Sequence, residues 1–313
     1  MNKVCSWVVA FCCAFISFAL ASCSSVGSNN SSAKNSPAYS EQRVDIDNGE
    51  YKIPGILVTP EKSSDKKFPV MVMLHGTASQ KNEVGGLYQR LAIYLADAGY
   101  ASLRIDFAGT GDSPVDYSLY SLSSASRDTK TALDFLAAQP AIDSGRMGLV
   151  GFSQGGLIAQ LVAAQDARVK SLVTWSSVAG NGTGVMQFLF DQYYAEAKAN
   201  GFAEVKFAWR PQPLNFGLQW FDEVKNNTSL DQMKNYTGKL LALAGDADPI
   251  VPYVSSINLM KAAGSSDAQA IIIKGADHMF NVLATSNANG LAEDQSTAEE
   301  FLVITTEWVG RNL

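Results

Sequence analysis

Short apolar runs recur along this chain and alternate with longer stretches in which apolar residues return every three or four positions. The runs fall at Val70 to Leu74, Ala101 to Ile105, Arg146 to Val150, Ser171 to Trp175, Lys239 to Leu243 and Ala270 to Lys274. Continuous apolar runs of this length suit strands covered on both faces. The helical periods span Leu87 to Ala98, Ser124 to Ala138, Leu157 to Ala164, Val254 to Ala263 and Thr297 to Arg311. Such alternation predicts an α/β fold, a mostly parallel sheet with right-handed crossovers and helices on both faces. Two earlier runs, Gln42 to Ile46 and Lys52 to Val58, alternate like antiparallel strands and predict the sheet edge, which makes eight strands.

One stretch breaks the alternation. Residues 177–236 separate two core strands and are about four times longer than a usual connection, which predicts an inserted cap or lid. Ten aromatics crowd the 34 residues from Phe188 to Phe221, against 10% aromatic content for the whole chain. That density is consistent with an apolar substrate pocket, for which Phe188, Tyr193, Trp209 and Trp220 are the candidates, or with rings that glue the cap to the body.

Composition narrows the possibilities. The chain of 313 residues is 47% hydrophobic, enough for one large core, and no repeat or long linker divides residues 42–313. A net charge of −6 with no basic run argues against a nucleic-acid partner. At the N-terminus, Met1-Asn2-Lys3 precedes an uncharged, mostly apolar segment ending in Leu20-Ala21-Ser22-Cys23. This reads as a signal sequence over residues 1–22. The Leu-Ala-Ser-Cys run resembles the lipobox of bacterial lipoproteins, which implies a lipid anchor on Cys23 and export to the cell envelope, with Ser24 fitting the outer membrane. An uncleaved spanning helix and an ordinary signal peptide are the alternatives. Residues 23–41, rich in Ser and Asn, read as a disordered tether. The other cysteines, Cys5, Cys12 and Cys13, lie in the leader, so the mature enzyme is expected to have no internal disulfide and no thiol nucleophile.

The chemistry concentrates at strand ends. Gly151-Phe152-Ser153-Gln154-Gly155-Gly156 follows an apolar run and opens a helical period, the context of a nucleophile elbow. Gly245-Asp246-Ala247-Asp248-Pro249 follows another strand and supplies an acid from Asp246 or Asp248. Gly275-Ala276-Asp277-His278 follows a third. The order Ser, Asp, His is satisfied. The chain has only two histidines, and the other, His75, ends a strand before Gly76-Thr77.

With these motifs the chain resembles the α/β-hydrolases over residues 44–312. His75-Gly76-Thr77, Asp106-Phe107-Ala108-Gly109-Thr110-Gly111-Asp112-Ser113 and Gly275 to Phe280 resemble bacterial cinnamoyl and feruloyl esterases and their acyl-hydrolase relatives. The resemblance implies Ser153 as nucleophile, His278 as base and Asp248, the last residue of the Gly-x-x-Asp turn, as the orienting acid. It also implies an oxyanion hole from the backbone N–H groups of Thr77 and Gln154, with His75 and Gly76 bracing that loop and Gly151 and Gly155 allowing the elbow. Asp106, Asp112 and Asp246 read as turn formers. Carboxylic-ester hydrolysis through an acyl-enzyme is the expected reaction, on aromatic or short-chain acyl esters, possessed by a small molecule or a polysaccharide. A serine peptidase of dipeptidyl-peptidase type, a thioesterase and a non-catalytic surface binding protein are the alternatives. Gly109-Thr110-Gly111 lacks the third glycine of a dinucleotide fingerprint, and neither a cofactor nor a metal is expected.

Overall fold

The continuous apolar strands pack as a sheet with a helical layer on each side. The computed structural model describes residues 38–61, 66–284 and 287–313; the signal segment, Cys23 and most of the tether lie outside them. The strands are β1 (Tyr39–Asp47), β2 (Lys52–Pro60), β3 (Phe68–Leu74), β4 (Ala101–Ile105), β5 (Ile142–Phe152), β6 (Val169–Trp175), β7 (Phe202–Val205), β8 (Leu214–Gly217), β9 (Lys239–Gly245), β10 (Ala268–Ile273), β11 (Leu283–Ala284) and β12 (Asn287–Leu291). The helices are α1 (Leu87–Asp97), α2 (Leu122–Ala137), α3 (Gln154–Ala163), α4 (Gln187–Asn200), α5 (Leu218–Lys225), α6 (Ser229–Gln232), α7 (Val254–Ala262) and α8 (Ser296–Asn312).

Eight strands form the main sheet in the order β1-β2-β4-β3-β5-β6-β9-β10. Both pairings of β2, with β1 and with β4, are antiparallel, and every later neighbour is parallel. The side chains of β3 show how the two faces are filled. Val70, Val72 and Leu74 join the apolar layer of α2 and α3, whereas Met71 and Met73 join that of α1 and α8. All five are inaccessible to solvent. Burying a side chain of that size stabilises the fold by about 1.5–3 kcal/mol relative to leaving it exposed.

The first three residues of β1, Tyr39 to Glu41, fall within the expected tether. Tyr39, Ser40 and Glu41 pair with Pro60, Thr59 and Val58, and the Ser40 and Thr59 hydroxyls are 2.7 Å apart. Backbone pairing with an existing edge orders polar residues that carry no apolar signal of their own. α2 likewise starts at Leu122, because Ser121 caps the helix and exchanges side-chain bonds with Ser124 in a capping box. α3 starts at Gln154, directly after the elbow serine, on residues too polar or small to show an apolar period.

Between β6 and β9 the chain makes α4, the antiparallel β7-β8 hairpin, α5 and α6. This insertion has its own aromatic centre. Trp220 meets Phe216 and Phe221 edge to face, each at 4.9 Å between ring centroids, and Phe190 packs on both Trp220 and Phe221.

Candidate active site

The site is assembled at the carboxyl ends of β3, β5, β9 and β10, where a parallel sheet opens its crevice. Ser153 stands at the turn from β5 into α3 with φ 53° and ψ −119°, a conformation that is uncommon for a residue with a side chain. Its neighbours make the turn possible. A Cβ on Gly151 would run into the Gly155 backbone and Gly156 Cα, and one on Gly155 would meet the carbonyl oxygens of Leu74 and His75. Only glycine lets the strand, the turn and β3 approach this closely. The Ser153 N–H is held by the Trp175 carbonyl at 2.9 Å, and the residue is 9% exposed.

Asp248 lies in the loop after β9. Its Oδ1 accepts the N–H groups of Ile250 and Val251 at 2.8 and 2.9 Å, and its Oδ2 lies 2.7 Å from His278 Nδ1. Burial pushes this carboxyl up, but the hydrogen bond and charge of His278, with the two backbone amides, outweigh burial and hold it below the usual carboxylate range. An ionised Asp248 only accepts, so Nδ1 donates to it. His278 Nε2, 3.1 Å from Ser153 Oγ, is then free to accept the serine proton. His278 is 4% exposed and its ring lies 5.0 Å from that of Phe152.

The histidine loop is shaped by the aspartates that do not face the serine. Asp277 Oδ1 accepts from the N–H groups of Met279 and Asn281, and the Asn281 side chain accepts from the Asp277 N–H at 2.9 Å. Phe280 and Asn281 both take φ 57°, so the chain turns tightly behind His278. Asp246 Oδ1 accepts the Gly275 N–H at 2.6 Å and ties the acid loop to the histidine loop. Asp246 and Asp248 therefore divide the work: one joins two loops, the other meets the imidazole.

The loop after β3 carries His75, Gly76 and Thr77. The Phe107 N–H donates to His75 Nε2 at 3.1 Å, so the neutral ring donates from Nδ1 to the Gly76 carbonyl at 2.9 Å. Burial pushes this imidazole down from its ordinary value, and with both nitrogens engaged it is a brace between two loops. Thr77 Oγ1 donates to Gln154 Oε1 at 3.0 Å, and the Tyr120 hydroxyl donates to the same oxygen at 3.2 Å. The backbone N–H of Gln154 opens α3, where the first amides have no intrahelical acceptor and the helix dipole favours negative charge.

Four supporting residues carry no sequence signal strong enough to single them out. Lys81, 6% exposed, places Nζ 2.5 Å from Asp106 and 2.7 Å from Asp112, and its own N–H donates to Asp106. Asp106 and Asp112 are thus partners in an ion-pair network that fixes the glycine-rich loop on the loop after β3. Glu83 is buried under that loop, Tyr120 reaches Gln154, and Arg210 of the insertion donates from Nη1 to the Ala78 carbonyl at 2.8 Å. The charged pair Lys81 and Glu83, six and eight positions after His75, was the available hint, but charge in a loop ordinarily means exposure.

The aromatic candidates separate. Trp220 is wholly buried among Phe190, Phe216 and Phe221, so it lines no accessible pocket and instead holds the insertion together. Tyr193 is half-buried against the core. Phe188 and Trp209 are 58% and 55% exposed, Trp209 stacking on Phe207 at 4.6 Å. Among the described residues no group of three or more His, Cys, Asp or Glu side chains is placed to hold a metal ion.

The family model described as serine aminopeptidase, S33, matches residues 65–196. Among curated proteins, an uncharacterized 31.7 kDa protein of the traX-finO intergenic region of Escherichia coli is 24% identical over 198 residues, or 62% of this chain. The match spans 65% of that relative's length. The mitochondrial palmitoyl-protein thioesterase ABHD10 of Bos taurus is 26% identical over 220 residues, covering 68% of this chain and 67% of its own. Among solved structures, Est1E from Butyrivibrio proteoclasticus with bound ferulic acid has a TM-score of 0.63 at 20% identity, covering 86% of this chain and 96% of its own. The hypothetical protein PA2218 from Pseudomonas aeruginosa has a TM-score of 0.67 at 17% identity, covering 89% and 95%. The sheet order, the flanking helices and the likeness to these solved structures give the chain the α/β-hydrolase fold.

Proposed function

We propose that this protein hydrolyses carboxylic esters through a Ser153 acyl-enzyme. The observation that carries the reading is the hydrogen-bonded chain from Ser153 Oγ to His278 Nε2 and from His278 Nδ1 to Asp248. In this mechanism His278 takes the serine proton as Oγ attacks the ester carbonyl, and Asp248 stabilises the imidazolium while staying ionised. The N–H groups of Thr77 and Gln154 receive the oxyanion. Collapse of the tetrahedral intermediate expels the alcohol, which leaves with the proton from His278. Water, activated by the same histidine, then attacks the acyl-enzyme and releases the acid, restoring Ser153.

Aromatic and short-chain acyl esters are the proposed substrate class, in line with the ferulic acid bound by Est1E and with the exposed rings of Phe188 and Trp209 in the insertion. The thioesterase relative supports a second reading, thioester cleavage by the same three residues. The deciding experiment is a panel of p-nitrophenyl esters, methyl hydroxycinnamates, acyl thioesters and aminoacyl anilides, with Ser153→Ala beside the wild type. Ester turnover lost in the variant is expected; a preference for thioesters or anilides would replace the ester reading, and turnover indifferent to Ser153 would remove it.

Export and lipid anchoring at Cys23 belong to the same proposal and rest on the Leu20-Ala21-Ser22-Cys23 run. Labelled palmitate should enter the protein and be absent from Cys23→Ser; equal labelling of both would refute the anchor.

A further inference from the structure

Glu83 belongs to none of the loops that carry the serine, the acid or the histidine, yet it is 5% exposed. Its backbone sits at φ 58° and ψ 174°, a region populated almost only by glycine and kept by other residues where the surroundings over-determine it, commonly at functional sites. The side chain shows what holds it. Oε1 accepts the Gly76 N–H at 2.5 Å, and Oε2 accepts the Ser79 hydroxyl at 2.9 Å and the Val84 N–H at 3.0 Å.

Gly76 and Ser79 are the two ends of the turn that contains Thr77 and Ala78. The Ser79 N–H closes it on the Gly76 carbonyl at 3.3 Å, and Ala78 is held at φ 57°. One carboxylate therefore grips both ends of the segment that presents the Thr77 N–H, with Arg210 on the Ala78 carbonyl as a third hold on the same turn. A backbone donor has no side chain with which to adjust its direction. Its aim is set by the groups that fix the peptide planes on either side.

We propose that Glu83 is a positioning residue for the hydrolytic step, its carboxylate aiming the Thr77 N–H at the developing oxyanion by clasping Gly76 and Ser79. The inference rests on the serine-hydrolase reading of Ser153. A carboxylate suits the task better than an amide, because it accepts at both oxygens, whereas glutamine accepts at one and would face the remaining donors with an N–H. Since the oxyanion exists only after attack, the loss should fall on the chemical step and leave ground-state binding in place.

The test compares Glu83→Gln and Ser79→Ala with the wild-type full chain, counting active sites by fluorophosphonate titration and measuring kcat, KM and inhibition by a phenylboronic acid, which forms a tetrahedral adduct on the serine. Glu83→Gln should lower kcat per active site about 10- to 100-fold, somewhat less than removal of a donor. KM should stay within about threefold, and boronate affinity should fall in parallel with kcat/KM. Ser79→Ala, which keeps the grip on Gly76, should show the same pattern at about three- to tenfold. A loss confined to the number of active sites and the melting temperature, with kcat per site and boronate affinity unchanged, would reduce Glu83 to a structural residue and overturn the proposal. Should Glu83→Gln not fold, the Ser79→Ala pattern decides by the same criteria. If the wild type shows no Ser153-dependent turnover, the serine-hydrolase reading itself has failed and the role of Glu83 goes with it.

Discussion

Thr77 and Gln154, whose backbone amides form the proposed oxyanion hole, are joined through their side chains, Thr77 Oγ1 donating to Gln154 Oε1 at 3.0 Å. Backbone donors are ordinarily indifferent to side-chain replacement. Here the side chains link the loop after β3 to the first turn of α3, so substitution reaches the donors indirectly. Thr77→Val, which keeps the shape and removes the donor, should lose about 0.5–1.5 kcal/mol, the net value of one hydrogen bond, or about two- to twelvefold in kcat. Steady-state kinetics on the best ester of the panel checks this. An unchanged kcat would mean that the two amides are set independently of the bond.

Asp246 and Asp248 share one loop but differ in what they hold. Asp248→Asn removes the acceptor that fixes the His278 tautomer and should lower kcat on the order of 10⁴-fold. Asp246→Asn can still accept the Gly275 N–H through its amide oxygen and should leave kcat within about threefold, with at most about 1 kcal/mol lost in stability. Kinetics and denaturant unfolding on the two variants separate the roles, and equal losses of kcat would contradict the assignment.

Gly155 has no room for a methyl group, since the carbonyls of Leu74 and His75 occupy that space and are themselves main chain. Gly155→Ala should cost about 1–3 kcal/mol or more by overpacking. In a domain of this size that lowers the melting temperature by about 2–10 °C. Scanning calorimetry of the variant measures the shift. A melting temperature equal to wild type would show that the elbow can open without strain.

His75 supplies a pH dependence with a definite sign. Burial lowers its pKa below the ordinary 6.5, so the unfolded chain binds a proton that the folded protein resists. Stability is fully present above pH 6.5 and is lost as pH falls from there toward the folded value. Asp248 does not explain a loss in that range, because its carboxyl is held below 3.8 and its contribution disappears only at lower pH. Urea unfolding between pH 7.5 and 5 should therefore show falling stability in the wild type and a shallower fall in His75→Gln. Identical slopes in the two proteins would exclude His75 as the source.

The sheet and its main helices were readable because burial on both faces forces runs such as Met71 to Leu74 to be apolar throughout, and a period of 3.6 marks Leu87 to Ala98. The insertion was readable only as a length and a density of rings. Whether a ring such as Trp220 lines a pocket or fills a core depends on what lies across from it, and Phe190 and Phe216 come to it from other elements.

The site divides the same way. Local sequence determined the elbow, because Ser153 stands among glycines between an apolar run and a helical period, and the contacts that require Gly151 arise within that same strand, turn and helix. It also set the order of Ser153, Asp248 and His278 along the chain. Only the tertiary structure decided that Asp248 rather than Asp246 meets the imidazole at 2.7 Å, that Lys81 is buried between Asp106 and Asp112, and that Glu83 grips Gly76 and Ser79. A charged residue in a loop reads as solvated until the fold removes the water from around it. What it then touches is fixed by strands paired across the sheet, and that pairing is not written in the residues on either side of it.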